Sequence, residues 1–188
     1  MARQRLLVML EMAMMAALAV VFSEIKVFEM PQGGSVSLVM VPIALIAVRR
    51  GILPGVVTGL IVGLLQLLLG GTIVAPIQVL LDYPLAFAAL GLSGMIPLSG
   101  LQGTSRRIAV LWSALFVGVI GRFVCHFISG VVWFGQYAPE GMPVALYSFV
   151  YNITYLLPEM IIAGIVLTVV LTSAPHLLFS AGGRKRIA

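Results

Sequence analysis

The sequence predicts an all-α membrane protein: a compact bundle of six transmembrane helices, one domain over residues 1–188, with both termini in the cytoplasm. Three observations carry this. The chain is 61% hydrophobic and only 9% charged, against about 25% charged in soluble domains, so a water-facing surface cannot be built from it. The charges are also segregated. Between Gly51 and Ser105 the only one is Asp82, and Met160 to Gly183 carries none; an uncharged apolar stretch near 20 residues is long enough to span a bilayer. Finally, basic pairs recur between alternate apolar segments, the pattern of cytoplasmic loops.

The elements follow in order. Span one is predicted at about Leu6 to Ser23, and span two, a short one, at about Ser37 to Val48. Span three covers about Ile52 to Leu69 and span four about Ile77 to Leu98. Span five covers about Ile108 to Val132 and span six about Val144 to Thr172. Arg3 and Arg5, Arg49 and Arg50, Arg106 and Arg107, and Arg184, Lys185 and Arg186 then all fall on one side. The opposite loops carry Glu24, Glu29 and Glu140, with Lys26 as their sole basic residue. Five or seven spans would destroy this alternation. The outer loops hold the turn signals Met30-Pro-Gln-Gly-Gly-Ser35, Gly70-Gly-Thr-Ile-Val-Ala-Pro76 and Gln136-Tyr-Ala-Pro-Glu-Gly-Met-Pro143. The inner connection at Arg49-Arg50-Gly51 is tight. No internal repeat is visible.

Several function classes are excluded or disfavoured. A single cysteine, Cys125, leaves no internal disulfide framework and no multi-cysteine metal site. No P-loop run exists. The net charge of +5 is accounted for by topology rather than nucleic acid. Arg3 and Arg5 precede an apolar run with no polar domain behind it, which argues against a cleaved signal peptide. No serine-nucleophile motif is present, and the one well-placed histidine is too few for a metal site; neither enzymatic chemistry nor a cofactor is expected.

Ionisable residues at membrane depth are expensive and mark function by default. Asp82 lies near the outer start of span four. Arg122 and His126 lie four apart in span five, so they share one helix face, with Gly130 one turn further. Tyr147, Tyr151 and Asn152 begin span six. Three spans thus bring polar and aromatic residues to one outer depth. A carboxylate, aromatic faces, a phenol and an amide suit a planar, partly cationic ligand, because aromatic faces attract cations and an amide both donates and accepts. Structural readings stand beside this one: an Asp82–Arg122 ion pair bridging two spans, a core histidine, and Trp133 and Tyr137 as interfacial aromatics. Small residues four apart, Ala13 with Ala17 and Gly55, Gly59 and Gly63, predict close helix approach, internal for the glycines and open between internal and partner packing for the alanines.

The chain resembles the thiamine-specific substrate-binding subunit, or S component, of energy-coupling factor (ECF) transporters. The resemblance rests on Glu11-Met-Ala-Met-Met-Ala-Ala-Leu-Ala19, Pro42 through Arg49-Arg50-Gly51, Leu81-Asp-Tyr83, His126-Phe-Ile-Ser-Gly130 with Gln136-Tyr-Ala138, and Tyr147-Ser-Phe-Val-Tyr-Asn152. It implies a multi-pass subunit of the bacterial cytoplasmic membrane that binds thiamine near the outer face without altering it. Its partners would be a coupling transmembrane subunit and two ATPases. Carried over by matching motif, the ligand residues are Tyr83, His126, Gly130, Tyr147 and Asn152. Asp82 stands where the family has an acidic residue, and Arg122 where a lysine can occur. Trp133 and Phe134 reverse the expected Phe-Trp order, and either ring is a stacking candidate. The tryptophan expected in the first outer loop is missing from Gln32-Gly-Gly-Ser35. Ala13 and Ala17 would face the coupling subunit. The rival readings are an S component for another vitamin such as riboflavin, a small intramembrane enzyme using Asp82 and His126, and a purely structural subunit.

Overall fold

Helix α1 spans Ala2–Ser23. In this computed structural model, which describes residues 2–98 and 100–179, α1 is followed by a short antiparallel hairpin of β1 (Phe28–Glu29) and β2 (Ser35–Val36). Gly33 and Gly34 close its turn at φ 100° and 78°, a backbone region that glycine enters without steric cost. Helices α2 (Met40–Arg50) and α3 (Ile52–Leu68) follow, separated by Gly51. The fourth span, Pro76–Met95, precedes two long helices, α6 (Thr104–Trp133) and α7 (Val144–Ser173). The basic tail Arg184, Lys185 and Arg186 lies outside the described residues.

Among the described residues, six apolar segments therefore stand where six were expected, and four are long and apolar enough to cross a membrane by length and composition. The two 30-residue helices reach about 45 Å at 1.5 Å per residue, so they tilt or protrude beyond a hydrocarbon core of roughly 30 Å. Helix α2 departs from expectation. At 11 residues it is about 17 Å long, and the stretch from Ser37 to Val39 is not part of the helix. Non-helical backbone at membrane depth is tolerated where protein surrounds it, and Val36, Ser37, Val39, Met40 and Ile43 are all buried.

The fourth span also departs from a single regular helix. It runs as α4 (Pro76–Leu80), a π-helical turn (Leu81–Leu85), α5 (Ala86–Ala89) and a 3₁₀ turn (Leu90–Met95). Pro84 lacks an amide hydrogen and crowds the preceding turn; the Ala86 N–H reaches back five residues to Leu81 O. Such π turns widen a helix locally and are frequent at functional sites.

The long helices are amphipathic in the membrane sense. On α6, Phe116, Ile120, Val124, Ile128 and Val132 form an exposed apolar row at every fourth position. The opposite face buries Leu111, Leu115, Gly118, Arg122 and Ser129. Helix α7 likewise turns Leu157, Ile161, Ile165 and Val169 outward and buries Ser148, Asn152, Glu159 and Ala163. The α3 glycines pack internally, as their spacing predicted. A Cβ at Gly55 would meet Ala47 and Gly91, one at Gly59 the Phe87 carbonyl, and one at Gly63 the Tyr83 carbonyl. The stripe brings α3 against the backbone of the broken span.

One end of the bundle is tied by charge. Glu11 of α1 accepts from Arg49 Nε at 3.3 Å and Arg50 Nε at 2.6 Å. Arg49 Nη1 also donates to the carbonyls of His176, Leu177 and Phe179, and the Arg107 guanidinium sits 5.0 Å from the Phe179 ring centroid. Arg49 and Arg107, basic residues from two connections, thus meet the chain's last described turn at one end. Lys26, Glu24 and Glu29 lie in the loop beyond the other end of α1.

Candidate functional site

The π turn in the fourth span sets Asp82 and Tyr83 against α6. Asp82 Oδ1 is 3.1 Å from His126 Nδ1, and Oδ2 accepts from Ser129 Oγ at 2.7 Å and Gln78 Nε2 at 2.8 Å. A carboxylate offers about four acceptor positions, so the protein fills three. Tyr83 holds the second outer loop, its hydroxyl bonded to the Thr72 N–H.

Arg122 and His126 share a face of α6, as their spacing required. Arg122 Nε donates to His126 Nε2 at 3.3 Å. The predicted alternative of an Asp82–Arg122 bridge is replaced by another pairing: Arg122 Nη1 meets Glu159 Oε2 of α7 at 3.2 Å. The guanidinium also lies 4.6 Å above the Phe87 ring. Asp82 and Arg122 sit on either side of His126, which separates them.

Helix α7 supplies the aromatic wall. Tyr147, Tyr151 and Tyr155 are spaced by four, with successive ring centroids 5.7 and 6.2 Å apart. Tyr155 also stands edge-on to His126 at 6.2 Å. Asn152 is buried in this wall. Its Nδ2 donates to Ser148 O at 2.8 Å, and its Oδ1 accepts from the Tyr155 hydroxyl at 2.8 Å. Gly130 makes the α6–α7 approach possible, since a Cβ there would strike Ser148 Oγ and come within 3.5 Å of Asn152 Nδ2.

The π turn, α6 and α7 line a cavity of about 520 Å³ together with the β1–β2 hairpin and the Gly70–Thr72 turn. That volume lies in the usual small-molecule range of roughly 300–1,000 Å³. The hairpin is pinned to the wall: the Gln32 N–H donates to the Tyr151 hydroxyl at 3.1 Å, and Gly34 abuts the Tyr155 ring. At the rim, Lys26 bonds Glu29 at 2.8 Å, which holds its ammonium above the usual lysine range.

Of the sequence-chosen residues, Asp82, Tyr83, Arg122, His126, Gly130, Phe134, Tyr147 and Asn152 all line this cavity. Trp133 does not. One residue turns a helical side chain by about 100°, and α6 ends at Trp133, so Phe134 is the ring that faces inward. Ala13 and Ala17 are exposed on α1, while Ala16 and Ala19 are buried. Sequence reasoning missed Glu159, although an acidic residue inside span six carries the same signal that marked Asp82. It also missed Gln78, Ser129 and Ser148, whose residue types are ordinary in membrane helices and gave no signal.

The comparisons agree with this architecture. The family profile described as thiamine transporter protein (Thia_YuaJ) matches residues 9–179. The thiamine transporter ThiT of Bacillus subtilis (strain 168) is 43% identical over 185 residues, covering 94% of this chain and 96% of that protein. The ThiT of Lacticaseibacillus paracasei is 33% identical, covering 97% of this chain and 95% of its own length. A solved structure of ThiT from Listeria monocytogenes superposes with a TM-score of 0.86 at 33% identity, covering 94% of this chain and 99% of that one. These relatives are transporters by name, not enzymes, and a chain of apolar helices that matches them end to end is a multi-pass protein of the bacterial membrane. With a profile match over nearly its whole length, the chain belongs to the thiamine transporter family.

Proposed function

We propose that this chain is the S component of an ECF-type uptake transporter, binding thiamine in the cavity between the hairpin, the π turn, α6 and α7. The observation that carries the reading is the Asp82 carboxylate, held by three protein donors with one acceptor position left, facing a wall of three tyrosines and Phe134. Thiamine is a permanent monocation with a flat aminopyrimidine. The ring donors suit the open carboxylate position, and the aromatic faces suit a flat cation, at roughly 0.5–2 kcal/mol per desolvated contact. Tyr155 stands in the cavity wall, and the tryptophan that the resemblance leads one to expect in the first outer loop is absent from Gln32-Gly-Gly-Ser35.

Both termini are cytoplasmic and the cavity opens outward, as the one-sided basic residues support. The coupling transmembrane subunit docks on the Ala13–Ala17 face of α1, because small exposed side chains let a second helix approach closely. Two ATPases complete the transporter. Residues 1–188 act as one domain.

The test is a ligand screen on the purified protein with thiamine, riboflavin and biotin, read as thermal stabilisation. A ligand at 100 times its Kd adds about 2.7 kcal/mol, which for this chain length is a rise of roughly 5–10 °C. Stabilisation by thiamine alone, with the vitamin recovered intact, is the expected result. Stabilisation by riboflavin instead would replace the ligand, and a converted product would replace the function.

A further inference from the structure

Glu159 does not line the cavity, yet it is tied to it from two directions. Its side chain is 0% exposed; Oε2 pairs with Arg122 at 3.2 Å and Oε1 accepts from Ser37 Oγ at 3.1 Å. Arg122, 7% exposed, forms part of the wall. A guanidinium only donates, so His126 Nε2, which receives the Arg122 Nε–H, is an acceptor and Nδ1 carries the ring proton toward Asp82. The imidazole is therefore neutral.

The deep charges can now be summed. Asp82 and Arg122 are the only charged residues of the inner wall among the described residues; Glu24, Lys26 and Glu29 belong to the exposed rim, where water and salt screen them. Arginine stays protonated. Asp82 and Arg122 alone would cancel, and the cavity would offer a cation no net attraction. We propose that Glu159 is the residue that sets the site's preference for a cationic ligand. By neutralising Arg122 from behind the wall, it leaves Asp82 as the uncompensated charge. Glu159 is thus a specificity-determining residue that acts through Arg122 without touching the ligand, and the inference rests on the thiamine reading above.

A unit charge about 10 Å from a bound cation, at an effective dielectric near 20, changes its affinity by roughly tenfold. A neutral ligand of the same shape is nearly indifferent. The experiment measures Kd by calorimetry for thiamine and for its uncharged thiophene analogue, deazathiamine, on the full-length protein in nanodiscs. Glu159→Gln should lower the ratio of thiamine to analogue affinity about tenfold. The double variant Arg122→Met/Glu159→Gln restores the charge sum and should return the ratio to within about threefold of wild type, whatever happens to the absolute affinities. Equal losses for both ligands in Glu159→Gln would make Glu159 a scaffold residue only and overturn the inference. If Glu159→Gln does not fold, the double variant still decides. A ratio near wild type supports the balance, whereas a tenfold rise in cation preference would mean that Arg122 counted alone. Wild-type protein that binds neither ligand overturns the thiamine reading and this inference with it; equal losses in the variant overturn the inference alone.

Discussion

Replacing Asp82 by asparagine is the sharpest perturbation of the cavity, because it preserves size and removes one charge. The carboxylate is bonded to His126 Nδ1, Ser129 Oγ and Gln78 Nε2 at 3.1, 2.7 and 2.8 Å. An asparagine oxygen in the Oδ2 position still accepts from Ser129 and Gln78, but its amide nitrogen then stands at the Oδ1 position and points donors at the His126 Nδ1–H. Hydrogen bonds to a charged group are worth about 1.5–3 kcal/mol, so losing the charged contact to the ligand should lower thiamine affinity by roughly 10- to 100-fold. Stability without ligand should change much less. Arg122 keeps its partner Glu159, so no buried charge is orphaned and the larger penalty of about 3–5 kcal/mol for breaking a buried pair does not apply. Weakening two neutral-donor bonds costs about 1–2 kcal/mol, a fall of roughly 2–8 °C in Tm for a chain of this length. Thiamine titration by calorimetry and apo Tm, measured on the same preparation, check both numbers. Unchanged affinity beside a lowered apo Tm would remove Asp82 from the binding site and refute the charge argument.

Three further outcomes follow from other parts of the bundle. Tryptophan at both Ala13 and Ala17, which are exposed here, should leave thiamine binding intact and abolish uptake in vesicles containing the full transporter; normal uptake would rule out this face as the docking surface. Reporter tags at residues 1 and 188 should read cytoplasmic and one near Glu140 external, and a cytoplasmic signal at Glu140 would sink the six-span orientation. Gly63→Ala drives a methyl group into the Tyr83 carbonyl. Overpacking of this kind costs about 1–3 kcal/mol, and it displaces the π turn, so apo Tm and thiamine affinity should fall together; a fall in Tm alone would separate α3 packing from the site.

Much of this protein is legible in its sequence because the membrane imposes one-dimensional rules. Hydropathy is summed along the chain, so the number and order of the spans follow from composition. The spacing of Gly55, Gly59 and Gly63 predicted an internal face, and α3 packs there against the fourth span. The convergence of Asp82, His126, Tyr147 and Asn152 was legible too, since depth follows from distance along each span. Tertiary structure alone decided what meets what. Arg122 pairs with Glu159, 37 residues away, rather than with Asp82, and Ser37 reaches the same glutamate across 122 residues. Phe134 rather than Trp133 faces the cavity. Pro84 was visible, but not that its span would answer with a π turn that aims Asp82 at His126. The physical reason is that depth depends on rise along an axis, which sequence counts directly. Pairing depends on the rotation of each helix about that axis and on contacts of a few ångströms, which are set only when segments distant in sequence pack together.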